Sequence, residues 1–221
     1  MKKTLHIIAA VFSVSLLSAC STAPPQGFAT APAGEASMAA LREALLGERP
    51  FVNWDGSREY LPGYVASFGH YFFGATPDFF DVFEFALVDM DGDGIVEVIL
   101  SSFRIDSIHV LHYYGGDVFI SHHGIRSLGG LKTDGSFRWS SGAANNGVAR
   151  LAFNAGHAYQ ITVAAQDTRR EWGSDEIIED HRIAGEPASL QEVMAFFALH
   201  DAKECAPWFP LTEENIARFF P

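Results

Sequence analysis

Apolar residues recur at two different spacings along the chain, and these spacings predict strands in the middle and helices at the ends. Phe83, Phe85 and Leu87 occupy every second position, the spacing of a half-buried strand. Residues 95–100 are apolar apart from Glu97, as expected of a strand covered on both faces. Further strands are predicted at residues 105–114, 118–122, 137–140, 148–153 and 159–164. Because glycine-containing turn signals separate these segments, the middle of the chain is predicted to be an antiparallel β-meander.

Helical patterns flank this region. Residues 37–46 repeat apolar positions at helical spacing, and Gly47 ends the predicted helix. Ser189 and Glu192 have the spacing of a capping box at the start of a second helix. Thr212 is predicted to cap a last short helix. The aromatic stretch before the first strand contains several prolines and glycines, and no element is assigned to it.

One short segment between two predicted strands carries four carboxylates. Counted from Asp89, they fall at positions 1, 3, 5 and 9 and belong to Asp89, Asp91, Asp93 and Glu97. Gly94 is at position 6, and the main-chain carbonyl of Ile95 is available at position 7. Oxygen ligands at this spacing wrap a hard cation, and glycine permits the sharp turn. Calcium is predicted because the loop has no imidazole or thiolate and its ligands are mostly protein oxygens.

This loop resembles the D-x-D-G-D-G loops of extracellular β-domains such as integrin-type FG-GAP and VCBS repeats. Position 12 is Leu100, so the bidentate Glu of an EF-hand is missing, and the flanks read as strands. Outside the cytoplasm a site of roughly 10⁻⁴–10⁻³ M affinity would still be filled. The expected role of the ion is structural. The alternative is an Asx-rich turn that holds no ion.

The predicted fold class is therefore α+β, an antiparallel β-meander with a calcium-loop hairpin, flanked by N- and C-terminal helices. A looser resemblance covers residues 85–88, the loop, residues 97–100 and residues 131–137. This arrangement is similar to a group of uncharacterised bacterial lipoproteins, and the resemblance implies no activity.

The first twenty residues are typical of an export signal. Lys2 and Lys3 precede a mostly apolar stretch over residues 4–17 that ends in small residues. Leu17-Ser18-Ala19-Cys20 resembles the lipobox of bacterial lipoproteins, which implies cleavage after Ala19 and lipidation of Cys20. Several acyl chains on one cysteine give stable membrane anchoring. The alternatives are an ordinary secretory signal and an uncleaved anchor.

Composition divides the rest of the chain. The predicted organisation is a signal peptide at 1–19, a lipidated cysteine and Ala/Pro-rich tether at 20–35, and one globular domain at 36–221. Ser21 follows the cysteine, and by the same resemblance this favours the outer membrane in a host that has one.

The formal net charge of −12 excludes a nucleic-acid binder that works through a basic surface. The two cysteines exclude a disulfide scaffold.

Three groups of residues have types found in catalytic sites, but none has the required pattern. His109, His112, His122 and His123 flank a predicted hairpin turn, but strand alternation allows at most one cross-strand pair, fewer than the three ligands of a catalytic zinc. The acidic residues Glu171, Asp175, Glu176, Glu179 and Asp180 are more typical of a solvated face than of a glycosidase pair. The serines of 139–142 lack a G-x-S-x-G elbow.

No catalytic residue is therefore predicted. The expected function is that of a membrane-anchored envelope lipoprotein, a non-enzymatic, calcium-stabilised binding or structural module. Its partner would be an envelope protein or a glycan. The alternative function is an envelope hydrolase that acts on glycan or peptide.

Overall fold

The computed structural model describes residues 32–73, 83–102, 107–124, 126–142, 144–170 and 177–220. Over these ranges the fold mixes four helices with strands in two β-sheets. The helices are α1 (Pro32–Leu45), α2 (Leu61–Phe73), α3 (Leu190–Asp201) and α4 (Glu213–Phe219). The predicted signal peptide, the lipidation site Cys20 and the tether as far as residue 31 lie outside the described residues. No helix in the described ranges is long and apolar enough to cross a bilayer.

The first sheet contains seven strands in the order β12-β3-β4-β5-β6-β1-β2. Its strands are β1 (Phe51–Val52), β2 (Arg58–Glu59), β3 (Glu84–Val88), β4 (Glu97–Ser102), β5 (Ser107–Tyr114), β6 (Asp117–Gly124) and β12 (Phe209–Pro210). Strands β3 to β6 pair antiparallel in chain order, whereas β1 pairs parallel with β6. The first sheet is therefore mixed, which differs from the purely antiparallel arrangement expected from the turn signals.

The second sheet contains five strands in the order β11-β10-β9-β8-β7. Its strands are β7 (Phe137–Gly142), β8 (Asn145–Asn154), β9 (His157–Arg170), β10 (Ile177–Ile183) and β11 (Glu186–Pro187). Each strand pairs antiparallel with its neighbour in the chain. The existence of a second sheet was not predicted, because turn spacing indicates hairpins but not which hairpins share a sheet.

The hydrophobic core lies in three layers. Helices α1, α2 and α4 cover one face of the first sheet, with Leu41, Leu61 and Leu100 in this layer. The opposite face packs against the second sheet, where Ile99 meets residues that include Phe137. Helix α3 covers the far side of the second sheet. Strand β4 is buried along its whole length because both faces of the first sheet are covered, as its apolar run predicted.

The predicted N-terminal caps of helices α3 and α4 are confirmed. The Ser189 Oγ accepts a hydrogen bond from the main-chain N–H of Glu192 at 3.3 Å, and the Glu192 carboxylate accepts one from the main-chain N–H of Ser189 at 2.8 Å. Thr212 Oγ1 accepts a hydrogen bond from the main-chain N–H of Asn215 at 3.1 Å. Helix α1 begins at Pro32, inside the segment predicted as tether, because proline is well suited to the first helical position.

Candidate metal centre

The Asp89–Glu97 segment joins two adjacent strands of the first sheet. Strands β3 and β4 pair antiparallel, with Val88 opposite Glu97 as the last pair, so the intervening residues close a hairpin. The Asp89 carboxylate accepts hydrogen bonds from the main-chain N–H groups of Gly92 at 2.7 Å and Gly94 at 3.0 Å. Both glycines have positive φ, +84° and +87°, which residues with a Cβ rarely adopt. Asp89 and the two glycines together set the path of the loop.

Two further aspartates stabilise the same loop from within. The Oδ1 of Asp91 accepts a hydrogen bond from the main-chain N–H of Asp93 at 3.2 Å. The Oδ1 of Asp93 accepts one from the main-chain N–H of Ile95 at 2.7 Å. Both contacts have the pattern of Asx turns, in which a short polar side chain bonds the backbone two residues on. The aspartates therefore hold the loop in shape.

Three carboxylates of this segment converge on one place. Asp89, Asp91 and Glu97 each offer an oxygen, and these oxygens lie within 4.8 Å of one another. The Glu97 side chain is only 3% exposed, and its Oε2 accepts a hydrogen bond from the main-chain N–H of Met90 at 2.8 Å. No basic side chain in the described part of the chain forms an ion pair with any of the three. These three carboxyl groups thus have no basic partner among the described residues.

The electrostatics of the cluster follow from this arrangement. Burial, together with the negative charges of Asp91, Asp93 and Asp89, raises the pKa of Glu97 to about 9, although the hydrogen bond from Met90 acts to lower it. Burial also raises the pKa of Asp91, with the charge of Asp93 acting in the same direction. Without an ion, this environment favours the protonated form of the Glu97 carboxyl. A divalent cation beside this carboxyl would favour its ionised form.

A second turn, formed by residues 132–136, packs on the back of the loop. Gly135 has φ of +78°, and a Cβ at this position would lie 2.7 Å from the Cα of Met90 and 2.9 Å from the main-chain oxygen of Asp89. The adjacent Asp134 carboxylate accepts hydrogen bonds from Lys203 Nζ at 2.7 Å and Arg150 Nη2 at 3.3 Å. Burial raises the pKa of Asp134, but the hydrogen bonds from Lys203 and Ser136 outweigh it and hold the pKa below its usual value. The loop is therefore supported by a turn with its own cations.

The structure brings together only three of the five predicted ligands. Asp89, Asp91 and Glu97 belong to the converging group, whereas Asp93 is exposed and lies outside it. The Ile95 carbonyl stays a prediction. The support from Gly135 was not predicted, because an Asp-Gly pair signals a turn but not what the turn touches.

The histidines are placed as strand alternation predicted. His109 and His122 pair across β5 and β6, with ring centroids 5.1 Å apart. His112 lies on the other face, where its ring stacks with those of Phe119 and Phe153. Burial lowers the pKa of His109 to about 3 and that of His112 to about 4. Within the described ranges, the carboxylate cluster of the loop is the one group of three or more His, Cys, Asp or Glu with metal-ligand spacing.

The other residues weighed for catalysis do not assemble either. Glu171, Asp175 and Glu176 lie outside the described residues. Asp180 pairs with Arg182 at 2.9 Å, and its neighbour Glu179 is exposed. Glu179 and Asp180 belong to strand β10. The sequence predicted a solvated face for this acidic group and assigned no strand to it. The Ser140 hydroxyl donates to the main-chain oxygen of Gly142, and none of its described contacts is with a histidine or a carboxylate.

No protein-family model, curated protein or solved structure matches this chain.

Proposed function

We propose that this protein is a lipid-anchored, non-enzymatic module of the cell envelope whose Asp89–Glu97 loop binds one calcium ion. The observation that carries the proposal is the convergence of Asp89, Asp91 and Glu97 without a compensating cation from the described residues. Ionised carboxylates at this separation repel, so either a proton on Glu97 or a cation between the groups must relieve the repulsion. In the proposed state, β3 and β4 form a calcium-loop hairpin within a meander flanked by the N- and C-terminal helices.

Calcium fits this cluster better than other common metals. All three converging ligands are carboxylates, whereas zinc and copper sites favour imidazole or thiolate. Calcium tolerates irregular oxygen shells supplied mostly by protein, while magnesium demands near-octahedral geometry and keeps several waters. The Ile95 carbonyl, Asp93 or water would complete the shell.

The proposed role of the ion is structural. The cluster draws ligands from the end of β3 and the start of β4, so an ion there ties two central strands together. A ligand that binds only the folded state stabilises it by mass action. The same ion would hold the loop surface on which Gly135 packs.

Localisation rests on the sequence. The lipobox-like Leu17-Ser18-Ala19-Cys20 and the Pro-rich segment that follows support a lipid anchor on a tether, in the outer membrane if the host has one. The acidic net charge is compatible with an envelope protein or glycan as partner and unfavourable for nucleic acid.

Calcium binding is tested by thermal unfolding of the full chain in EDTA, in calcium and in magnesium at equal ionic strength. At about 10 mM calcium, a site of roughly 10⁻⁴–10⁻³ M affinity stabilises the fold by about 1.4–2.7 kcal/mol. Asp91→Asn should abolish most of this gain. Asp117→Asn removes the same charge from an exposed ion pair with Arg58 and should leave it intact. Equal gains with calcium and magnesium, or an unchanged gain in Asp91→Asn, would contradict the proposal.

The anchor is tested separately by labelling bacteria that express the chain with a radioactive fatty acid. The wild type and Cys205→Ser should incorporate label into the membrane fraction, whereas Cys20→Ser should not. Label on Cys20→Ser equal to that on the wild type would refute lipidation at this cysteine.

A further inference from the structure

A second concentration of polar groups lies on the second sheet. A pocket of about 440 Å³ is lined by Arg126, Arg138, Trp139, Ser140 and Asn146, together with two glycines. Its walls are held by main-chain hydrogen bonds. The N–H of Ser140 donates to the main-chain oxygen of Arg126 at 2.7 Å, and Arg138 exchanges two hydrogen bonds with Gly129 at 2.6 and 2.7 Å. The pocket is thus built on strand β7 and a segment that runs antiparallel to it.

The Arg138 guanidinium is fixed in place but incompletely bonded. Its Cζ lies 3.7 Å from the ring centroid of Phe197 in α3. Its Nη2 donates to Asn146 Oδ1 at 3.4 Å. Its Nη1 is buried and has no hydrogen-bond partner. A buried donor without an acceptor is unfavourable, but Nη1 is shielded from solvent, so a ligand in the pocket would meet the other N–H groups of this guanidinium.

A second arginine, Arg126, lines the same pocket. Arg126 Nη2 donates to Ser140 Oγ at 3.1 Å. Ser140 and Asn146 are opposite residues of the β7–β8 ladder, so the two polar side chains that contact the arginines are neighbours. Trp139 lines the same pocket, and its indole Nε1 is also buried without a hydrogen-bond partner.

These two arginines differ from others in the described part of the chain. Five arginines form ion pairs with acids, namely Arg49, Arg58, Arg150, Arg169 and Arg182. Arg126 and Arg138 form no ion pair with a described acid. Burial lowers the pKa of Arg138, and the charge of Asp201 opposes this effect. The chain has a net charge of −12, so two arginines that line one pocket without paired acids stand out against the overall negative charge.

We propose that this pocket binds a small ligand through an oxyanion, either a carboxylate or a phosphate group, held by Arg126 and Arg138. Arginine pairs well with such groups because its planar fork matches two oxygens. The pocket volume is in the range of small-molecule sites, so the ligand extends beyond its charged group. The pocket shares no residue with the carboxylate cluster and does not depend on calcium.

The test is an NMR titration of the full chain in detergent with inorganic phosphate and, separately, with acetate. Sodium chloride at the same ionic strength serves as the reference. The signals followed are the Trp139 indole N–H, assigned with Trp139→Phe, and the arginine Nε–H groups. Saturable shifts that chloride does not produce are expected with at least one anion. Saturation by phosphate alone identifies a phosphate ligand, saturation by acetate alone identifies a carboxylate, and saturation by both supports the shared oxyanion site.

Matched variants assign the binding to the pocket. Arg126→Gln removes an exposed charge that contributes little to packing, so this variant keeps the fold, and its affinity should fall about tenfold. Arg138→Met should lose binding as well, although it also removes the contact with Phe197. Arg58→Gln removes one positive charge at a distant ion pair and should keep wild-type affinity. No saturable shift with either anion, or equal affinities in Arg126→Gln and Arg58→Gln, would overturn the proposal.

Discussion

Two Asp-Gly turns pack against each other in this molecule, and they differ in whether basic side chains pair with their carboxylates. Asp134 has Lys203 and Arg150 within 2.7 and 3.3 Å. In the neighbouring loop, Asp89, Asp91 and Glu97 converge and no described basic side chain pairs with them. The carboxylate of one turn has basic partners within the chain, whereas the carboxylates of the other have none among the described residues.

Turn geometry alone does not separate the two. The Asp134 Oδ1 accepts a hydrogen bond from the main-chain N–H of Ser136 at 3.1 Å, the same Asx pattern that Asp91 makes with Asp93 at 3.2 Å. An Asx turn without an ion therefore accounts for the shape of both turns. It does not account for Glu97, a buried carboxyl brought from the next strand into the cluster. The difference in charge balance distinguishes the two turns.

The largest loss of stability is expected from a substitution that disturbs the contact between the two turns. Gly135→Ala would place a Cβ 2.7 Å from the Met90 Cα at a positive φ, so both overpacking and backbone strain oppose it. We expect a loss of about 2–5 kcal/mol in the free energy of unfolding, measured by chemical denaturation. Gly56→Ala is the matched control, because Gly56 also has positive φ but nothing lies within 4 Å of its Cβ position. It should cost only about 1–2 kcal/mol. Equal losses in both variants would show that the packing of Gly135 on the loop is unimportant.

A smaller effect is expected when the uncompensated cluster loses its buried acid. Glu97→Gln keeps the volume and the acceptor for Met90, so stability in EDTA should stay close to that of the wild type. The calcium-dependent gain of about 1.4–2.7 kcal/mol should disappear, as measured by thermal unfolding with and without the ion. Glu186→Gln, at an exposed position of β11, should keep the full gain. If Glu97→Gln retained the gain as well, Glu97 would not be a ligand.

The smallest effect is expected in the turn that carries its own cations. Asp134→Asn breaks two partly exposed ion pairs, and solvent screening limits the loss to about 0.5–1 kcal/mol. Because the pKa of folded Asp134 is lowered from 3.8, this contribution is present above that value and vanishes as pH falls through the folded pKa. Denaturation of wild type and variant at about pH 6 and about pH 2 should show the difference shrinking in acid. If the stability difference between the wild type and Asp134→Asn depended on calcium instead of pH, the two turns would not differ in how their carboxylates are compensated.

The parts of the fold that were predictable are those set by neighbours in sequence. The capping box of Ser189 and Glu192 was recognisable because its donors and acceptors are three residues apart. Helix α2 was missed because Pro62 and Gly63 suggested a loop, although proline is tolerated in a first helical turn. The parallel pairing of β1 with β6 joins distant segments, and no local pattern reports it.

The candidate site also combines features set by neighbours in sequence with features set by tertiary contacts. The spacing of Asp89, Asp91 and Glu97 was enough to predict a common site, because all three lie within one hairpin. The burial of Glu97 and the contact of Gly135 with Met90 depend on the second sheet and on the turn at residues 132–136. The pocket of Arg126 and Arg138 was not predicted, since it depends on a segment that folds back along β7. Such contacts arise from tertiary packing, which sequence spacing does not encode.

The measurement that tests the calcium site most directly is equilibrium dialysis of the full chain against radioactive calcium near 1 mM, with magnesium as competitor. We expect about 0.5 to 0.9 bound ions per chain at this concentration, rising toward one as calcium is increased. The Asp91→Asn/Glu97→Gln double variant should lose this binding, and Asp117→Asn should keep it. No calcium bound to the wild type, or equal binding by the double variant, would contradict the assignment of the Asp89–Glu97 loop as a calcium site.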